Sequence, residues 1–280
     1  MNLRNTLSRP GGYILLPIIF VLLFRTANAQ TQFAGWLGTF QNYKLTDKTG
    51  IYFDGQLRTT GQWQQVHSLL LRPGLNIYFN PALTGTVGYA YIHQQRMASG
   101  VTGYIPEHRI WEQLMYTHRI NRPHAAHAAS LTHRLRLEQR WLPKVHAEEG
   151  HLVRNGHAHA GRLRYFARGV LPLTGSRHSD NGTLADPQGH GSSASAGSGS
   201  AAPFTQGFFA AIQNEIFTNI SGSSVVNGKF FDQNRAYFAV GYRCSRQFDV
   251  ELGYMNQYIS GTGSNSTNNH ILQMATYLRL

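Results

Sequence analysis

The sequence predicts an all-β protein, a single-domain antiparallel transmembrane β-barrel of about 10 to 12 strands behind a signal peptide. Three observations predict it: an apolar leader at the amino terminus, apolar and polar residues that alternate with period two through the rest of the chain, and no apolar run of helix-spanning length after Phe24.

Arg4 and Arg9 make the start basic, Tyr13 to Phe24 is an almost unbroken apolar run, and Ala27-Asn28-Ala29 offers the small residues a signal peptidase requires. A helix across a bilayer needs about 20 apolar residues; this run is shorter and contains Pro17. The leader, residues 1–29, is therefore expected to be cleaved after Ala29, leaving a barrel over 30–280 in the outer membrane of a Gram-negative cell. The lone Cys244 excludes an intramolecular disulfide and a cysteine metal site. Such a fold is held by strand pairing and packing alone.

The formal charge of +12 stays strongly positive after Arg4, Arg9 and Arg25 leave with the leader. In a cytosolic chain that excess would point to nucleic acid. Export argues against that partner and toward outer-membrane lipid headgroups, small anionic solutes or an arginine-lined interior. Of the 25 basic residues only Lys44, Lys48, Lys144 and Lys229 are lysines. Arginine keeps its charge when enclosed and forks onto carboxylates, phosphates and sulfates.

Alternation is clearest in the second half. Arg134, Arg136, Glu138 and Arg140 share one face against Leu135, Leu137 and Trp141, with Gln139 the exception. Arg162, Arg164, Phe166 and Arg168 oppose Leu163, Tyr165 and Ala167; Arg235, Tyr237, Ala239 and Arg243 oppose Ala236, Phe238, Val240 and Tyr242. Asp249, Glu251, Met255 and Gln257 oppose Phe248, Val250, Leu252 and Tyr254. A soluble sandwich also alternates, but here the polar face carries arginine and glutamate among glycine and alanine, and the apolar face grows aromatic toward the strand ends.

Eleven segments read as strands, near 32–45, 49–60, 64–79, 83–96, 106–120, 129–142, 161–173, 204–218, 231–244, 247–260 and 268–280. Bacterial single-chain barrels carry even numbers, so ten or twelve is expected, with a strand unseen or 32–45 outside the wall. Tight turns at Thr46-Asp47-Lys48, Asn80-Pro81-Ala82 and Ser245-Arg246 alternate with longer connections around 97–105, 143–160, 219–230 and 261–267. Short turns on the periplasmic side would put the carboxyl terminus there. Residues 174–203, rich in serine and glycine, read as a low-complexity disordered insert on that same side.

Charges facing lipid at mid-depth cost about 2–4 kcal/mol each, so the rows should face the lumen. The candidate lumen and anion-binding residues are Arg58, Arg109, Arg134, Arg136, Glu138 and Arg140 in the first half of the wall, then Arg162, Arg164, Arg168, Glu215, Arg235 and Glu251. They either fill and brace a narrow interior or line a narrow, anion-preferring passage or pocket. No cofactor and no metal are expected: the histidines at 124–133 and 146–159 fall in stretches that read as loops and lack His-Glu-x-x-His. An outer-membrane lipid hydrolase is the enzymatic alternative. Ser130 with His133, or His270 with the serines before it, would then supply nucleophile and base. No Gly-x-Ser-x-Gly elbow supports it, and catalysis is not expected. Gly222 to Lys229 resembles a phosphate loop but has the wrong spacing, with Phe230 where a hydroxyl is required.

Glu107-x-Arg109 with Gln113, then Arg134 to Arg140, Arg162-Leu163-Arg164-Tyr165, Asn214-Glu215-Ile216-Phe217 and Phe231 to Arg235, occur in that order. This succession resembles the domain-of-unknown-function 2490 family over nearly all of the mature chain, most specifically at 134–140. The resemblance implies an outer-membrane barrel and brings no chemistry with it. The histidine-rich stretches and the serine-glycine insert look like departures from the family pattern.

Overall fold

The structure is a computed structural model that describes residues 29–121, 125–173 and 203–280. Residues 1–28, 122–124 and 174–202, which take in nearly all of the expected leader (1–29) and of the expected insert (174–203), lie outside the described residues. Eleven strands follow one another along the chain: β1 Ala29–Lys44, β2 Thr49–Thr60, β3 Gln65–Tyr78, β4 Leu83–Ala98, β5 Val101–Ile120, β6 Ala129–Glu148, β7 His151–Pro172, β8 Gly207–Ser221, β9 Phe231–Arg243, β10 Phe248–Ser260 and β11 Ser266–Arg279. All eleven expected segments form strands.

The strands close into one barrel in which each pairs antiparallel with its sequence neighbours. A ring with an odd number of strands cannot be antiparallel throughout, so one contact must be parallel. It lies between β1 and β11, in register from Ala29↔Ser266 to Asn42↔Arg279. The Lys44 amide donates to the Leu280 carbonyl at 2.6 Å and the Leu280 amide to that of Asn42 at 2.8 Å, which pins the lower end of the seam. The preference for ten or twelve strands is thereby corrected: the wall has eleven, and the segment at 32–45 belongs to it. What even-numbered barrels avoid is this parallel seam, whose pairing is slightly weaker per residue.

Turn chemistry corrects two connections. Residues 97–105 and 143–160, expected as longer links, are continuous hairpins reversed at Ser99-Gly100 and Glu149-Gly150. Both residues of each turn have positive φ (46° and 80°; 48° and 79°). That is the type I′ geometry whose twist matches paired strands. The histidine-rich stretch at 146–159 therefore sits mostly on β6 and β7, which run to 20 and 22 residues. Pro143, which cannot donate to the ladder, falls at a register shift.

The alternation sorts side chains as read. Phe33, Leu75, Ile110, Leu135, Ile212, Phe238, Val240 and Leu252 point outward and remain exposed, whereas Arg136, Glu138, Glu215 and Glu251 point inward and are buried. Gln139, the exception in its row, does face outward, where its amide donates to Glu112 at 3.0 Å. Asn214 and Asn234 pair reciprocally on the same outer surface. These outward polar side chains hydrogen-bond across neighbouring strands.

The odd count places the two ends of the wall, Ala29 and Leu280, at opposite ends of the barrel. Ala29 lies beside the turn that precedes β11, while Leu280 lies beside the tight turn Cys244 to Gln247, where Arg279 donates its amide to the Gln247 carbonyl. With the protein in cells, the exposed Cys244 and a cysteine added after Leu280 are expected to react with an impermeant maleimide from one side. Gly150→Cys in a Cys244→Ser background reacts from the other. Labelling of all three from the same side would contradict the three strands β7, β8 and β9 between Gly150 and Cys244.

Candidate functional site

Enclosing one face of every strand gathers charges that are far apart in sequence. Glu107 on β5 accepts from Arg109 at 2.7 Å, Arg96 at 2.9 Å and Arg140 at 3.0 Å. Glu138 on β6 accepts from Arg162 at 2.6 Å, Arg109 at 3.1 Å and also Arg164. Glu215 on β8 takes Arg134 at 2.6 Å and Arg164 at 2.7 Å, with Arg235 at 3.6 Å. Arg162 continues to Asp232 at 3.1 Å. Toward the end with the carboxyl terminus, Arg168 on β7 reaches Glu251 on β10, which also accepts from the Tyr237 hydroxyl at 2.9 Å. Arg243 forks onto Asp249 at 2.8 and 3.0 Å. Glu107, Glu138 and Glu215 are each shared by three arginines, so arginines outnumber their partners.

Aromatic rings fill the space between these groups. The Arg136 guanidinium lies 4.2 Å from the Trp111 ring centroid, and Arg164 and Arg235 lie 4.5 and 4.6 Å from that of Phe217. Glycine makes room: a Cβ on Gly88 would come within 2.2 Å of the Trp111 ring, and one on Gly241 within 2.2 Å of Phe209. At this waist Trp111, Phe217 and Arg136 have 0% exposure. Water in the barrel does not touch them.

Arg136 is the exception within the network. Among the described residues it has no carboxylate partner; it forks onto the Gln113 amide oxygen at 2.6 and 3.0 Å, and its Nη1 has no acceptor. From Gln113 a chain of side-chain hydrogen bonds runs through Thr86 and Asn76 to Asn42. Such a chain orders the waist but brings no negative charge to it.

Above the waist, toward the end that holds Ala29, lies a vestibule of about 450 Å3. Among the described residues seven arginines line it (58, 72, 109, 140, 162, 164 and 235) against one acidic side chain, Asp232. Trp36, Gln94, Gln233 and Asn269 complete much of the wall. Part of the mouth is formed by the β8–β9 connection, where Asn227 donates to the Phe231 and Ser260 carbonyls at 3.0 and 2.8 Å and accepts from Asn219 at 3.0 Å. Gly222 turns this connection at φ 60°, and a Cβ there would meet the His159 carbonyl at 2.3 Å. The loop that superficially matches a phosphate motif is thus a structural wall of the vestibule.

All twelve sequence-identified lumen candidates face the interior, and the vestibule collects Arg58, Arg109, Arg140, Arg162, Arg164 and Arg235 among them. Sequence reasoning missed Asp54, Arg72, Arg96, Glu107 and Asp232 as network members, and Trp36, Trp111 and Phe217 as interior rings. Arg72 was hidden because Leu69, Leu70 and Leu71 run together; Leu70 faces inward with Ser68 and Arg72, so an apolar residue sits on the polar face and masks the period-two pattern. The hydrolase pairs are not assembled. Ser130 and His133 are three apart on one strand and so project from opposite faces, and His133 Nδ1 meets the Tyr165 hydroxyl at 2.8 Å. His270 contacts the Tyr254 hydroxyl through Nδ1. Ser266 shares its face but stands four residues away, about 13 Å along a strand.

The network sets unequal costs for removing its members. Glu138→Gln leaves three guanidinium groups short of one charge and is expected to destabilise the barrel by roughly 3–5 kcal/mol. Arg136→Met removes a charge that has no acidic partner, and its cost should stay within about 1 kcal/mol, because lost desolvation offsets the orphaned Gln113 oxygen. Urea unfolding of both variants in lipid vesicles checks this; equal losses, or the reverse order, would contradict the role given to Glu138.

Comparison with known proteins sets this geometry in context. No curated protein matches the chain. Among solved structures, one of a NanC porin is similar with 9% identity and a TM-score of 0.42, covering 88% of this chain and 98% of that one. The model of the DUF2490 family, described as a protein of unknown function, matches residues 33–185 and 199–268. Over that span, which takes in the vestibule, the waist and nearly the whole wall, the chain belongs to the DUF2490 family.

Proposed function

We propose that the protein is an exported outer-membrane barrel that takes up small anionic solutes in its arginine-lined vestibule and passes them only narrowly. The observation that carries this reading is the vestibule wall, with seven arginines and one carboxylate around about 450 Å3. Clefts lined by one sign of charge with low-dielectric walls concentrate the opposite ion, and rings of arginine select anions in pores. The outward apolar belt supports the membrane setting, with outer-membrane lipid as its solvent. The reading needs no cofactor, nucleic acid or catalytic step.

A second reading rests on the waist. Side chains there are wholly removed from water, and Arg168 to Glu251 spans from β7 to β10, so the lumen also has the build of a filled, purely structural brace. The two readings part in planar bilayers. Anion uptake with narrow passage predicts a small conductance whose reversal potential in a KCl gradient shows chloride preference, and Arg58→Glu at the vestibule is expected to abolish that preference. A cation preference, or an Arg58→Glu channel indistinguishable from the parent, would contradict it; no conductance together with no anion binding would establish the structural brace.

A further inference from the structure

Two guanidinium groups in the vestibule share one aromatic plate. Arg58 on β2 lies 3.8 Å from the Trp36 ring centroid, and Arg235 on β9 lies 5.1 Å from the same centroid. Among the described residues Arg58 has no carboxylate within ion-pair distance; it forks onto the Gln56 amide oxygen at 2.5 and 3.1 Å. The nearest carboxylate oxygen to Arg235 is that of Glu215, at 3.6 Å, and Glu215 already holds Arg134 and Arg164 more closely. Both arginines line the cavity, and Arg235 is more than nine-tenths buried. Two like charges enclosed beside one ring are costly unless an anion joins them.

We infer, on the reading that the vestibule takes anions, that Arg58 and Arg235 form a site for a doubly charged tetrahedral oxyanion. The shared chemistry is that of a phosphate or sulfate, free or as the terminal group of a larger solute. A carboxylate brings a single charge, whereas among the described residues Arg58 has no carboxylate and Arg235 only the distant, already shared Glu215. A tetrahedral oxyanion supplies a second charge for the two guanidinium groups and more acceptor oxygens than a carboxylate, pointing out of one plane toward separate strands. Gln94, Gln233 and Asn269 on the same wall bring amide groups for the remaining oxygens.

Calorimetric titration of the full mature chain in lipid nanodiscs, at constant ionic strength, tests the site with inorganic phosphate, sulfate, glucose 6-phosphate and acetate. Phosphate and sulfate are expected to bind at least tenfold more tightly than acetate. Phosphate affinity should rise several-fold between pH 5 and pH 8, because phosphate gains its second charge within that range, whereas sulfate stays doubly charged throughout. His67 and Asp232 also face this cavity, beside Arg72, Arg109, Arg140, Arg162 and Arg164, and the sulfate series subtracts any titration of theirs. Arg58→Gln and Arg235→Gln should each bring phosphate down to the acetate level; Arg58→Lys, which keeps the charge and loses the fork, should fall between. Tighter binding of glucose 6-phosphate than of phosphate assigns the oxyanion to a larger solute, and the reverse assigns it to the free ion. Acetate binding as tightly as phosphate, or full phosphate binding by a folded Arg58→Gln, overturns the oxyanion site while leaving general anion uptake intact. No binding of any anion removes both.

Discussion

Closing a wall of eleven strands encloses one face of every strand, and whatever charge the sequence puts on that face has to be neutralised inside. That constraint governs the rest of the structure. Removing a charge from water costs several kcal/mol, which only close partners return. Glu107, Glu138 and Glu215 each serve three arginines, which ties β4 through β9 together inside the barrel. Where carboxylates run out, at Arg136 and Arg58, the guanidinium lies on Trp111 or Trp36 instead. Cation and ring attract, more strongly in a desolvated setting, but the ring carries no net charge. Positive charge is therefore left over, and at Arg58 it faces a cavity.

The same arrangement explains the use of arginine in place of lysine. A lysine at the position of Arg164 could not hold Glu138 and Glu215 through separate nitrogens of one rigid plane, as Arg164 does. It would also lose the flat contact with Phe217. Glycines at 88 and 241 belong to this design, since the interior rings rest where a Cβ would stand.

Much of the fold was legible because strand alternation is local. Arg134 to Arg140 and Arg235 to Arg243 show period two in the bare sequence, and their faces lie as read. The closure was not legible: a parallel contact between the first and last strands leaves no mark in either, and the rule of even numbers pointed away from it. Turn chemistry at Ser99-Gly100 and Glu149-Gly150 was available, yet the histidines around the second turn suggested a loop. Within the site, arginines in alternating rows were found and those in apolar runs, such as Arg72, were not. The vestibule itself depends on which strands meet across the lumen, and no short-range pattern encodes that.

The central claim is that lipid surrounds the wall while guanidinium groups and rings occupy the centre. A spin-label scan of residues 235–242 on β9 in lipid bilayers, with dissolved oxygen as the collision partner, tests it most directly. High oxygen accessibility at Ala236, Phe238, Val240 and Tyr242, alternating with low values at Arg235, Tyr237 and Ala239, is the result the account predicts. Uniform accessibility along the strand, or the opposite alternation, would contradict it.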